Sequence, residues 1–342
     1  MNTSPPLVQG SRVVMIRDAG YFPVLALLPS GRVVAVLRGG AGHLGLAGRL
    51  EAVWSDDGGK TWSPPVVVAK SERDDRNPAV GVTQSGEIVV AYHHQGSYDA
   101  EGKWAGAFSD RVDTLLVRSG DRGETWSAPY PLTHSALNGR SPYGKMLTLP
   151  GGEMVMNIYG YPHAGEKRRV SYLLRSRDGG LTWADPSVIA EEFNETSLAL
   201  LPNGEVLVAL RTAMPNPNLW VCRSIDGGRT WSPPAPVTES NEHPADLLVL
   251  RDGSVLMVYG RRHEPFGAEL LLSADGGRTW GHKKALADDA VSGDCGYPCS
   301  VQLADDTIIS AYYAVGPEST TYDATGSKAV AVVYQPAAVL AP

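Results

Sequence analysis

A chain of 342 residues with 43% hydrophobic content can bury a large core, as one repeat domain or two ordinary ones. Thirty basic against 37 acidic side chains leave a formal net charge of −7 with no basic cluster, which argues against a nucleic-acid partner. No apolar run reaches membrane-spanning length, and three cysteines (Cys222, Cys295, Cys299) cannot build a full disulfide framework; Cys295 and Cys299, four apart, do not have zinc-ribbon spacing. The N-terminal MNTSPPLVQG lacks the basic and apolar stretches of a leader, so the chain as given reads as cytoplasmic, or as secreted or periplasmic if a leader is removed. No metal or cofactor is expected: the adjacent histidines of YHHQGSYD (92–99) would face opposite ways on a strand.

Along the chain, RVVMI (12–16) is a strand candidate, followed by six apolar runs, each broken by a short polar turn. They are LALLPSGRVVAV (25–36), VGVTQSGEIVVAY (80–92), MLTLPGGEMVMNIY (146–159), LALLPNGEVLVAL (198–210), LLVLRDGSVLMVY (247–259) and SVQLADDTIISAYY (300–313). Each predicts two β-strands joined by a tight hairpin, because Gly, Asn or Asp stands where the turn needs a permissive backbone. After each of the first five comes a second repeat: SDDGGKTW (55–62), SGDRGETW (119–126), SRDGGLTW (176–183), SIDGGRTW (224–231) and SADGGRTW (273–280). The sixth is followed only by KAVAVVY (328–334). Six near-equal units without helical periodicity predict an all-β fold. The expectation is a single domain over 1–342, a six-bladed β-propeller of four-stranded antiparallel blades, with 12–16 closing the last blade. A doubly wound α/β fold would need crossover helices that the sequence does not supply.

In the eight-residue repeat, Asp at the third position can accept bonds from nearby backbone N–H groups, Gly permits the tight path, and Trp packs an apolar ring between strands. A catalytic site is needed once, so a group repeated five times reads as a brace. These segments resemble the Asp-box of the sialidase superfamily and of other bacterial-neuraminidase-repeat propellers, a group that also includes binding and assembly proteins.

In a propeller, residues just before each first strand and just after each second strand form two rings around one mouth. Counting from the hairpin turn, the first ring is Tyr21, Arg76, Tyr143, Glu195, His243 and Tyr297; the second is Arg38, His93, Tyr159, Arg211, Arg261 and Tyr313. Four arginines around one mouth need a ligand or partner groups to offset their repulsion. A guanidinium fork suits a carboxylate, so the expected partner is a glycan bearing a carboxylate sugar, with sulfate or phosphate also compatible. A Tyr–Glu pair suggests a tyrosine nucleophile with a carboxylate as its base.

The resemblance assigns roles. FNETSLALLPNGEVLVALR (193–211) is similar to the sialidase stretch in which a catalytic Glu precedes a carboxylate-binding Arg, implying Glu195 and Arg211. YGRRHEPFGAELLLSADGGRTW (259–280) resembles the stretch with the third arginine, implying Arg261 or its neighbour Arg262. GYPCSVQL (296–303) looks like the segment of the nucleophilic tyrosine, implying Tyr297. The sequence departs from the family twice. GYFPVLALL (20–28) places Tyr21 where the first arginine should stand, a place that Arg38 would have to fill from the other ring; Arg38 and Arg76 join Arg211 and Arg261 in the expected anion clamp. The loop LRGGAGHLGLAGRLEAVW (37–54) lacks the acid/base aspartate, leaving His43 and Asp75 as candidates. Asp294 either steadies the Tyr297 loop or is solvated. Three functions stay open: a sialidase-like exo-glycosidase, a hydrolase or lyase on another acidic sugar such as a uronate, and a non-catalytic glycan-binding propeller.

Overall fold

The computed structural model describes residues 5–106, 112–132, 140–162, 166 and 168–340. The predicted hairpins form as antiparallel pairs, and each first strand is the edge of a four-stranded unit. These first strands are Tyr21–Leu27, Asp74–Val82, Ser141–Thr148, Phe193–Leu200, Glu242–Val249 and Cys295–Gln302. Each touches the next, and the last touches the first, so they ring a common centre. The architecture is a β-propeller of four-stranded antiparallel blades, and the only described helix is the short Ala337–Leu340. Four sheets stand alone with four strands each. The fifth has eight, because Gly144 and Lys145 pair in parallel with Ala79 and Val80 across two first strands. Ser11–Arg17 pairs with Lys328–Tyr334 and completes the last sheet from the N-terminal end, as the sequence predicts.

The mouth owes its geometry to a repeated irregularity. All six first strands break register near the front: Tyr21/Val24, Arg76/Ala79, Tyr143/Leu147, Phe193/Thr196, Glu242/Ala245 and Gly296/Cys299. A bulge puts extra residues on one strand and re-aims their side chains. Phe22, Asn77 and Tyr297 sit in these bulges with φ of 55°, 49° and 46°, in the left-handed region that costs a non-glycine residue energy. Proline follows each of them, at positions 23, 78 and 298, where the interrupted ladder no longer needs a donor.

The eight-residue turns follow the third strands and so lie at the hairpin end, opposite the mouth. In each, Ser Oγ donates to Asp Oδ1 at 2.7–2.8 Å and accepts the N–H of the fifth-position Gly at 2.7–2.8 Å. The Thr N–H donates to the same Asp at 2.9 Å. The turn also locks onto the preceding blade. A Cβ on Gly228 would lie 2.3 Å from Leu173 Cδ2, at a φ of +82°. Gly228→Ala is therefore expected to destabilise the protein by about 2 kcal/mol or more. Gly281→Ala, with nothing within 4 Å of the added carbon, should leave the melting temperature nearly unchanged. Parallel thermal melts of the two variants check this.

Candidate active site

The bulge at Gly296 and Tyr297 aims one phenol across the mouth to the neighbouring half of the ring. Tyr297 donates its O–H to Glu195 Oε1 at 2.6 Å, and Glu195 Oε2 accepts from Arg211, which itself reaches the Tyr297 oxygen at 3.3 Å. Tyr159 approaches the same Glu195 oxygen at 3.4 Å, and Arg262 lies over the Tyr297 ring at 5.1 Å. Tyr143, 6.1 Å from Tyr297 between ring centres, hands its hydroxyl to the Ala245 carbonyl.

The electrostatics separate these groups. Burial favours the neutral acid of Glu195, but Arg211, the Tyr297 hydroxyl and Arg262 together hold the carboxyl below its ordinary range. Burial, with Glu195 adding to it, pushes the Tyr297 phenol up to about 12, against the pull of Arg211 and Arg262. At neutral pH the pair is therefore a protonated phenol donating to a carboxylate. That is the state from which the oxygen can attack while its proton moves to Glu195.

The cations fall into two groups. Arg211 and Arg262 lie against the Tyr297–Glu195 pair, and Arg76 reaches the same aromatic cluster through Phe22. Arg76 lies 5.4 Å over the Phe22 ring, donates to Asn77 Oδ1 at 3.3 Å and stands 3.6 Å from Asp74. Arg38 and Arg261 correct the sequence reading. Arg38 is fully buried, paired with Asp74, and bonds the Gly42 and Gly45 carbonyls at 2.9 and 3.4 Å. Arg261 is also buried, paired with Glu269 at 2.8 Å and with the Pro265 carbonyl. Neighbouring residues on a strand face opposite sides, so Arg262, one step further, takes the mouth-facing place. Tyr21 supplies no substitute cation: it is buried at the centre, its hydroxyl unpartnered and pushed up to about 12 by burial.

Asp75 is corrected for the same reason. Asp74 and Arg76 share a face of their strand, whereas Asp75 points the other way, fully buried, to His94 Nδ1 at 2.7 Å. It is therefore neither the partner of Arg76 nor open to a leaving group. His93 and His94 do face opposite ways. Burial and Arg76 push His93 down to about 3, and burial with Arg211 and Arg262 pushes His243 to about 2, so both stay neutral. Each keeps one buried ring nitrogen without a partner, His93 Nε2 and His243 Nδ1, beside the clamp. His43 and Tyr313 meet at Asp294, which accepts from Tyr313 at 2.5 Å and bonds His43 Nδ1 at 2.8 Å. Among the described residues no cluster of His, Cys, Asp or Glu could hold a metal ion, and no helix is long and apolar enough to cross a membrane. Phe22 and Asp74 entered the site without clear sequence signals; the bulge position explains the first and strand parity the second, while Asp294, open between two readings in the sequence, holds His43 and Tyr313.

Four-stranded blades ring a mouth lined by a Tyr–Glu pair and arginines, and this defines the chain as a β-propeller. The chain belongs to the BNR repeat-like domain family, whose family model matches residues 52–310. A sialidase of Paraclostridium sordellii is 24% identical over 219 residues, 57% of this chain and 53% of that protein, so the match spans about half of its length. The crystal structure of a protein of unknown function from Dyadobacter fermentans DSM 18053 superposes with a TM-score of 0.81 at 25% identity, over 95% of this chain and 98% of that one. The Hadza microbial sialidase Hz136 shares the fold with a TM-score of 0.73 at 19% identity, over 94% and 66%.

Proposed function

We propose that this chain is a single-domain, six-bladed propeller, the eight-stranded sheet counting as two blades, and that it is a glycoside hydrolase of the sialidase superfamily removing a terminal acidic sugar from a glycan. The observation that carries the reading is the 2.6 Å bond from the Tyr297 hydroxyl to Glu195, between Arg211 and Arg262. Arg211, Arg262 and Arg76 receive the sugar carboxylate; His93, His243 and Tyr159 offer hydrogen bonds to its hydroxyls. The Tyr297 oxygen bonds to the anomeric carbon as its proton passes to Glu195 and the aglycone leaves. Water then displaces the tyrosine, which recovers its proton from Glu195. Such two-step chemistry needs a nucleophile activated by an adjacent base, and a tyrosine in that role is a recognised exception among glycosidases. A sialic acid is the first substrate to try, because two of the relatives above are sialidases. Tyr21, standing where sialidases carry their first arginine, favours a uronate as the second reading.

The test is release of nitrophenol from aryl α-sialosides, aryl uronides and aryl glycosides of neutral sugars. Turnover confined to an acidic sugar is expected. Release from neutral sugars only, or from none of them, would contradict the proposal, and an unsaturated product absorbing in the near ultraviolet would mark a lyase instead.

A further inference from the structure

The loop 40–48 lacks a carboxylate, yet it is built with care around one side chain. Arg38 bonds the carbonyls of Gly42 and Gly45, which flank His43 on either side. Gly45 donates its N–H to the Tyr98 hydroxyl at 2.9 Å, and Leu44 donates to the Thr321 carbonyl at 2.7 Å. Asp74 takes both Arg38 and the Tyr98 hydroxyl, so the support of this loop converges on one buried carboxylate. The residue so held is His43, whose ring lies edge-on to Phe22 at 5.0 Å, while Phe22 lies 4.8 Å from the Tyr297 ring. Its Nδ1 is committed to Asp294 at 2.8 Å, and 28% of its side chain is exposed.

Resting on the hydrolase reading above, we propose that His43, oriented by Asp294, is the proton-transfer group of the reaction, standing in for the aspartate that the loop lacks. With Nδ1–H donated to Asp294, Nε2 is the nitrogen that exchanges protons, and a carboxylate behind an imidazole both fixes its tautomer and stabilises its cation. In the first step His43 Nε2–H gives its proton to the aglycone oxygen as the sugar–oxygen bond breaks and Tyr297 bonds to the anomeric carbon. In the second, neutral His43 takes a proton from the attacking water as the bond to Tyr297 breaks. The proton balance closes with one water consumed. Asp294 acts through His43 and is a positioning residue.

The charged and titratable groups around His43 give this dyad a pH signature. Burial lowers the imidazole from its ordinary value, and Arg76 and Arg262 push the same way, while Asp294 raises it; Tyr21 and Tyr313 complete the surroundings as neutral phenols. A lowered base is neutral above its own pKa, so the free enzyme loses its acid as pH rises through a value below about 6.5. A substrate carboxylate bound by Arg76 and Arg262 offsets both cations and restores the acid. The alkaline limb of kcat, which reports the complex, should therefore lie above that of kcat/KM, which reports the free enzyme.

The experiment compares a dinitrophenyl glycoside, whose leaving group needs no proton, with an alkyl glycoside of the same acidic sugar. His43→Ala is expected to cut alkyl glycoside cleavage by about 10²–10⁴-fold. With the dinitrophenyl substrate it should give a burst equal to the enzyme concentration followed by slow turnover, because only the second step then lacks its base. Asp294→Asn should shift the alkaline limb to lower pH, a change that a merely structural role would not produce. His43→Gln, with its melting temperature, repeats the test if the alanine variant folds poorly. Equal losses on both substrates without a burst, or no loss on the alkyl glycoside, would overturn the role of His43 while leaving the Tyr–Glu reading intact. A Tyr297→Phe variant that turned over normally would sink both.

Discussion

Tyr297→Phe is expected to lower turnover of an aryl acidic glycoside by about 10³-fold or more, while binding of the free sugar stays within about threefold of wild type. The reason lies in what the hydroxyl does and does not hold. The ring contacts to Phe22, Tyr143 and Tyr313 survive the change, so the floor of the mouth keeps its shape. Arg211 keeps its bond to Glu195 and Arg262 its place over the ring, so on the proposed mechanism the carboxylate is still recognised. What disappears is the hydroxyl that donates to Glu195 at 2.6 Å. A propeller that merely binds glycans would show equal affinity in both proteins and turnover in neither. Single-turnover kinetics beside calorimetric binding separates the cases: a phenylalanine variant retaining more than about a tenth of the wild-type rate would remove tyrosine from the chemistry.

Two adjacent arginines should respond in opposite ways. Arg262→Ala removes a cation that faces the Tyr297 ring and, on this account, the substrate carboxylate. KM is expected to rise about 10²-fold with little change in melting temperature, since truncating one partner of a buried charged pair costs roughly 2–5 kcal/mol of binding. Arg261→Met should instead leave KM within about threefold and cost about 2–3 kcal/mol of stability. It strands Glu269 in the blade interior with Lys283 at 3.1 Å and the Tyr259 hydroxyl at 3.0 Å as remaining partners. Thermal melts and Michaelis curves on both variants decide it, and a KM effect confined to Arg261→Met would reverse the assignment.

That contrast also shows where the sequence was sufficient and where it was not. The repeats and hairpins were legible because permissive turn residues between apolar runs leave few alternatives, and the closure expected of residues 12–16 followed from the unpaired last unit. That Glu195, Arg211 and Tyr297 would meet was legible because the start and end of paired strands lie at one rim. The confusion of Arg261 with Arg262 was one of parity. Arg211 stands seven residues beyond its hairpin glycine, Gly204, whereas Arg261 stands eight beyond Gly253 and Arg262 nine, so Arg262 shares the face of Arg211. The same two-residue period separates Asp74 and Arg76 from Asp75. Arg38 has the right parity and was still misread, because the loop that wraps its guanidinium makes no local pattern. Register breaks were also hidden: nothing in GYPCSVQL announces that Tyr297 takes a left-handed backbone, although the proline after it is a trace of the broken ladder. The eight-stranded sheet arises from two parallel pairs between separate hairpins, a long-range contact that no local periodicity encodes.

The proposed mechanism passes through a covalent bond between Tyr297 and the sugar, and mass spectrometry of the trapped protein looks for that bond itself. A fluorinated acidic glycosyl fluoride slows departure of the sugar more than its arrival and so accumulates the intermediate. One sugar added per chain is expected, on the peptide that contains Tyr297, and none in the Tyr297→Phe variant. Turnover of the unfluorinated substrate without any adduct, or an adduct on another residue, would contradict it.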